Sequence, residues 1–102
     1  MLSIGDLINQ IKLYNPNADF DLIKKSYNYG FNAHKGQYRA SGEIYFTHPV
    51  EVAKIVIDLK LDESTIKTAL LHDTVEDPDS SLKQLENFFG REVSQLVDGV
   101  TK

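Results

Sequence analysis

Apolar residues recur at helical spacing along nearly the whole of this chain, and strand-type alternation is absent. The first stripe consists of Ile4, Leu7, Ile8 and Ile11, and the turn at Asn15–Asn17 ends it. Spacings of three and four residues place such side chains on one helical face. The pattern predicts an all-α helical bundle of about six helices.

The second helix is predicted to begin after Asp19, a residue suited to an N-cap, and Gly36 is a suitable stop. Its inward residues are Phe20, Ile23, Tyr27 and Phe31. Residues 37–47 then form a polar loop. The third helix starts at His48, because Pro49 fits the first turn of a helix. We expect this helix to be largely buried through Val50, Ala53, Ile55, Val56, Ile57 and Leu59.

Asp62 is a predicted cap for a fourth helix that ends at His72–Asp73, with Ile66, Ala69 and Leu70 turned inward. Residues 78–81 are predicted to form a turn. A fifth helix should run from about Ser81 to Gly90, and a sixth from about Arg91. The last apolar stripe still runs at the final residues, so either that helix frays or the chain belongs to a larger domain.

Length and composition predict one domain over residues 1–102 with a modest core. The hydrophobic share is 41% and the charged share 25%, as in ordinary soluble proteins. We expect no membrane span and no signal peptide, and a cytoplasmic location fits. The absence of cysteine excludes thiolate metal sites, and a net charge of −4 argues against nucleic-acid binding.

The segment from His72 to Asp77 contains most of the candidate chemistry. Adjacent His72 and Asp73 leave the helical repeat together, and imidazole with carboxylate suits manganese, iron or zinc. Glu76 and Asp77 lie one short step downstream, close enough to handle a proton of an activated water. The alternative is a solvated acidic loop. Clustered carboxylates repel each other unless a cation neutralises them, which favours the metal site.

His48 is predicted to join this group. The third and fourth helices are separated by only a few residues, so they should be antiparallel neighbours with His48 beside His72 and Asp73. A histidine bonded to backbone at a helix start is the alternative. Arg39 offers a planar fork for phosphate or a base, and Ser41 adds a hydroxyl, although both fit a solvated loop equally well. Tyr45 is the tyrosine nearest the site.

His34 is interpreted as a surface residue or a helix C-terminal charge.

Several longer strings resemble the hydrolase domain of the RelA/SpoT family, within the HD superfamily of metal-dependent phosphohydrolases. The matching segments are 34–43, 45–50, 71–77, 89–93 and 96–102. The resemblance spans about residues 20–102 and implies an HD-type domain. It also implies hydrolysis of the alarmone (p)ppGpp, which releases pyrophosphate from the ribose 3′ position.

Carried over by position, the resemblance implies a manganese site with ligands His48, His72 and Asp73. Glu76 and Asp77 would handle the protons of the attacking water and the leaving ribose oxygen. The guanine nucleotide would contact Arg39, Ser41 and Tyr45.

Two departures and one missing part qualify the resemblance. Ala40 stands where the family commonly has a basic residue, and Ile44 where proline is usual. A further family aspartate ligand lies well beyond Val100, so the chain resembles roughly the first half of the hydrolase domain. The open alternatives are a second chain or homo-oligomer that completes the site, a fragment that binds metal or nucleotide without turnover, and a related nucleotide pyrophosphohydrolase.

Overall fold

The computed structural model describes residues 1–75 and 78–101, and within them the chain is all-α, as predicted. Glu76 and Asp77 lie outside the described residues. The six helices are α1 (Ile4–Lys12), α2 (Phe20–Ala33), α3 (Thr47–Asp58), α4 (Glu63–Leu71), α5 (Pro78–Phe89) and α6 (Arg91–Thr101). A short 3₁₀ turn, His72–Thr74, follows α4.

Side-chain caps fix the starts of α1, α2 and α4. Ser3 and Asp6 form a reciprocal capping box at α1, with bonds of 3.1 and 3.2 Å. The predicted caps are both present: Asp19 accepts from the N–H of Leu22 at 3.1 Å, and Asp62 accepts from that of Thr65 at 3.0 Å. Each cap satisfies a backbone donor that the first helical turn leaves without a partner.

Two predicted helix ends were wrong. The second helix ends at Ala33 instead of Gly36, although Gly36 has the left-handed φ of +80° that a chain reversal needs. The fifth begins at Pro78, so the predicted turn at 78–81 is its first turn instead. Proline is well suited to that position, because the first helical N–H has no intrahelical partner.

The core consists of two clusters that meet at the end of α4. The first lies among α1, α2, α3 and α4 and includes Leu70, whereas the second lies between α5, α6 and the end of α4 and includes Leu71. Both leucines are fully buried. The residue after them is His72, so both clusters fix the point at which the chain leaves α4.

One face of α3 is more open than predicted. Ile55 and Leu59 were expected to be buried, but they are 60% and 65% exposed. The buried stripe of α3 is Val50, Ala53 and Ile57, which face α1 and α4. Ile55 and Leu59 lie outside this stripe, and more than half of each residue is exposed to solvent. No helix within residues 1–75 and 78–101 is long and apolar enough to cross a membrane.

Candidate metal centre

The structure brings His48, His72 and Asp73 together at one edge of the bundle. His48 is the second residue of α3, and the other two open the 3₁₀ turn after α4. Helices α3 and α4 pack against each other, joined by a connection of only a few residues, as their short predicted linker required. One donor atom from each of the three residues lies within 4.8 Å of the other two.

His72 is oriented by a backbone hydrogen bond. Its Nδ1 lies 2.8 Å from the carbonyl of Ala69, three residues earlier on α4. A carbonyl only accepts, so Nδ1 carries a proton, and in the neutral imidazole the lone pair is then on Nε2. This Nε2 faces Oδ1 of Asp73 at 3.2 Å. The local turn therefore prepares the imidazole to bind a cation through Nε2.

Asp73 lies between the two histidines. Its Oδ2 is 3.9 Å from Nε2 of His48, and the rings of His48 and His72 are 6.2 Å apart at an angle of 64°. Metal–ligand bonds of about 2.0–2.2 Å place neighbouring donors about 3–4 Å apart, so the three groups need only close slightly around an ion. Two imidazoles and a carboxylate therefore fit a divalent transition ion in both chemistry and spacing.

The three side chains are partly open to solvent, at 41% for His48, 20% for His72 and 27% for Asp73. That exposure leaves room for water or substrate beside the donors. Three protein ligands with an open position are typical of catalytic metal sites, whereas structural sites are closed by four.

Tyr45 belongs to the same site through its hydroxyl group. The phenol donates a hydrogen bond to Oδ2 of Asp73 at 2.9 Å. This bond, together with burial, raises the pKa of Tyr45 above its usual value, against a smaller lowering by the charge of Arg39. The phenol therefore remains a protonated donor throughout the neutral range.

Arg39 and Ser41 lie on a small hairpin before α3. The hairpin is closed by a bridge between Tyr38 and Ile44, and Gly42 at its tip has a φ of +92°. The Arg39 guanidinium bonds Glu51 of α3, with 3.3 Å to each carboxylate oxygen, an ion pair that the sequence analysis missed. Ser41 is exposed and donates to Glu43 at 3.2 Å. Arg39 is thus held on α3 by Glu51, three residues after His48, whereas the Ser41 hydroxyl faces its own loop.

The interpretation of His34 as a surface residue was wrong. His34 is only 6% exposed, and its ring centroid lies 4.8 Å from that of Tyr45. The signal was present in the sequence, because His34 continues the inward stripe of α2, seven residues after Tyr27. Its position next to Lys35 and its polar ring obscured that periodicity.

The two acidic residues predicted to handle protons, Glu76 and Asp77, lie outside the described residues, and their roles stay predictions.

Residues 26–102 match the family model described as the HD domain. A GTP pyrophosphokinase of Myxococcus xanthus is 53% identical over 92 residues, covering 90% of this chain and 12% of that protein. The GTP pyrophosphokinase rsh of Brucella melitensis is 44% identical over the whole chain, which covers 14% of it. The bifunctional (p)ppGpp synthase/hydrolase SpoT of Escherichia coli K12 is 44% identical over 96 residues, again 14% of that protein.

The chain spans 12–14% of the length of these curated relatives. The matched stretch contains every residue of the candidate metal centre.

Proposed function

The chain belongs to the HD domain family, in its RelA/SpoT branch, and on that premise we propose that it carries the metal centre of a (p)ppGpp 3′-pyrophosphohydrolase. The observation that carries the proposal is the convergence of His48, His72 and Asp73 within 4.8 Å. The relative named SpoT, a (p)ppGpp synthase/hydrolase, supports the choice of substrate.

In this proposal, His48 and His72 bind a divalent cation through Nε2, and Asp73 binds it through a carboxylate oxygen. We propose manganese, because mixed imidazole and carboxylate donors suit it and the RelA/SpoT resemblance implies it. A cation held there supplies Lewis-acid activation of water and neutralises phosphate charge. The backbone bond of His72 to Ala69 keeps the imidazole in the tautomer that binding needs.

The proposed reaction breaks the bond between the ribose 3′ oxygen and its phosphorus. Water attacks that phosphorus, the ribose 3′ oxygen leaves and takes a proton, and the diphosphoryl group is released as pyrophosphate, so ppGpp gives GDP and pppGpp gives GTP. Glu76 and Asp77 are the proposed groups that remove the proton of water and return one to the ribose. They follow the 3₁₀ turn in sequence after one intervening residue, Val75, which is consistent with a site at the end of that turn.

Arg39 is the proposed contact for guanine. Its planar guanidinium is suited to stacking on a base, and its charge reaches Tyr45 at the edge of the metal centre. Glu51 holds the guanidinium on the surface of α3, and one-third of the Arg39 side chain is exposed. Ser41 and Tyr45 complete the proposed nucleotide contacts. Ser41 would need to leave Glu43 to do so.

We further propose that a second polypeptide or a second copy of this chain covers an apolar groove between α3 and α4. A groove of about 270 Å³ lies beside His72 and is mainly apolar. Val52, Val56, Ala69 and Val100 line it. An uncovered apolar surface of this kind favours association. Light scattering across a concentration series tests it, and a monomer at all concentrations would contradict self-association.

The test of the proposed function is turnover of ppGpp by the purified chain with added MnCl₂, followed by anion-exchange separation of GDP and pyrophosphate. We expect turnover that EDTA abolishes and that His72→Ala and Asp73→Asn eliminate. The matched control is Asp21→Asn, the same change at an exposed position on α2.

The possible results separate the candidate functions. Guanine nucleotide binding without turnover would favour a binding fragment, and hydrolysis of another nucleotide would favour a related pyrophosphohydrolase. Failure of the wild-type chain to bind Mn²⁺ at millimolar concentration would refute the metal centre.

A further inference from the structure

Tyr45 connects the two elements that carry the candidate metal ligands. Its phenol donates to Oδ2 of Asp73 at 2.9 Å, on the 3₁₀ turn. Its carbonyl accepts the N–H of His48 at 3.0 Å, at the start of α3. A single residue of the loop thus bonds to one ligand through its side chain and to another through its backbone.

Tyr45 is in turn held in place by contacts with His34 and Gln37. The N–H of Tyr45 donates to the carbonyl of Gln37 at 2.8 Å, and the Gln37 side-chain oxygen lies 3.0 Å from Nδ1 of His34. The His34 ring then packs on the Tyr45 ring, with centroids 4.8 Å apart. Tyr45 is therefore held at three points: its backbone N–H, its ring and its hydroxyl group.

His34 has a buried ring nitrogen, Nε2, that finds no hydrogen-bond partner among the residues that the structure describes. A buried polar atom without a partner costs stability. Its ring nevertheless fills the space between Tyr45 and Phe46, whose centroids lie 4.8 and 6.3 Å away. The position of the ring, not the hydrogen bonding of Nε2, is what this site uses.

We propose that Tyr45 is a positioning residue for the metal centre, and that His34 acts through it. This role rests on the proposed function: the Tyr45 hydroxyl orients the Asp73 carboxylate for the cation. The hydroxyl holds Oδ2, so that Oδ1 stays on the side of His72, 3.2 Å from its Nε2. Without the hydroxyl, the Asp73 side chain can change its χ1 rotamer, and binding a cation must first order it.

The direct test is Tyr45→Phe, which keeps the ring and removes only the hydroxyl. We expect the affinity for Mn²⁺, measured by electron paramagnetic resonance titration, to fall by about 10–100-fold, the usual effect of losing a bond to a metal ligand. Tyr14→Phe is the matched control, because the Tyr14 hydroxyl also makes one bond, to the carbonyl of Leu61 at 2.8 Å, away from the site. It should keep wild-type affinity.

His34 variants test the second half of the inference. His34→Ala removes the supporting ring and should weaken Mn²⁺ binding in the wild-type background but add nothing in the Tyr45→Phe background. His34→Phe restores a ring without Nδ1 or Nε2 and should recover the affinity, because the packing of the ring against Tyr45 is what supports the phenol. A loss of affinity in His34→Phe as large as in His34→Ala would show that the imidazole itself is needed, and would overturn this role.

A metal-free measurement decides the role of Tyr45 independently. Three-bond NMR couplings report the χ1 angle of Asp73, which should be a single rotamer in the wild type and averaged in Tyr45→Phe. Equal affinity and an equal rotamer in both would overturn the proposal, and tighter binding by Tyr45→Phe would overturn it too, because the phenol would then compete with the cation for Oδ2. If the wild type binds no Mn²⁺, the proposed function fails, whereas the rotamer comparison still upholds or overturns the positioning role.

Discussion

Replacement of Gly30 by alanine should destabilise this protein, although alanine is the better helix former. Gly30 is a buried residue of α2 that faces the end of α4. A Cβ added there would lie 2.5 Å from Cε1 of Phe46 and 2.6 Å from the carbonyl oxygen of Leu70. The first neighbour precedes α3 and the second lies two residues before His72.

The size of the effect follows from these two distances. Carbon atoms pack at about 3.5–4.0 Å, so the Phe46 ring would have to retreat by about 1 Å. That ring is 1% exposed and packs edge-on against Tyr27 at 5.0 Å, so it has little space to move. Overpacking of this kind costs about 1–3 kcal/mol, whereas the helical preference of alanine returns about 0.5–1 kcal/mol. We expect a net loss of about 1–2 kcal/mol.

Gly99→Ala is the matched control, because Gly99 is an exposed residue of α6 with no atom within 4 Å of the added Cβ. Urea unfolding followed by circular dichroism at 222 nm should give Gly30→Ala a lower midpoint than the wild type. Gly99→Ala should be equal or higher. A Gly30→Ala variant as stable as the wild type would refute the close approach of α2 and α4. Weaker Mn²⁺ binding should accompany the loss, since both displaced neighbours adjoin the ligand-bearing elements.

Two further predictions concern α4 and its end. Asp62→Ala should lower the free energy of unfolding by about 0.5–2 kcal/mol at pH 7, because Asp62 caps the N–H of Thr65. The bonds from Thr65 hold the pKa of Asp62 below its usual value. The stabilisation is therefore present above about pH 4 and is lost as the pH falls through the lowered pKa. Equal urea midpoints of the variant and the wild type at pH 7 would contradict this prediction. Mn²⁺ at 100 times its dissociation constant should stabilise the wild type by about 2.7 kcal/mol in thermal unfolding, and a similar shift in His72→Ala would argue against the centre.

The sequence predicted the helices well because their signals are local. Ser3, Asp19 and Asp62 each satisfy a donor within three residues, and the apolar stripes repeat within a few turns. The start of α5 was missed because Pro78 fits both a turn and a first helical turn. The residues around Pro78 decide whether a turn or a helix start forms there.

Burial was harder to predict than helicity, because it depends on which elements surround a helix. Ile55 and Leu59 were predicted to be buried from their position in an apolar run, yet more than half of each residue is exposed. His34 shows the opposite error: it was predicted to be exposed because its side chain is polar, although it lies on the inward stripe of α2. Gly30 lies on the same stripe of α2, where a missing side chain marks a close approach of two backbones.

The candidate metal centre depends on both core clusters, because its ligands lie where the clusters meet. Leu70 packs in the first cluster and Leu71 in the second, and His72 follows directly. His48 reaches the same point from α3, through a loop whose last residues, Tyr45 and Phe46, pack against α2. The His72–Asp73 pair in the sequence therefore becomes a three-donor site only after both clusters have formed. A core substitution in either cluster should alter metal affinity even when it is far from every ligand.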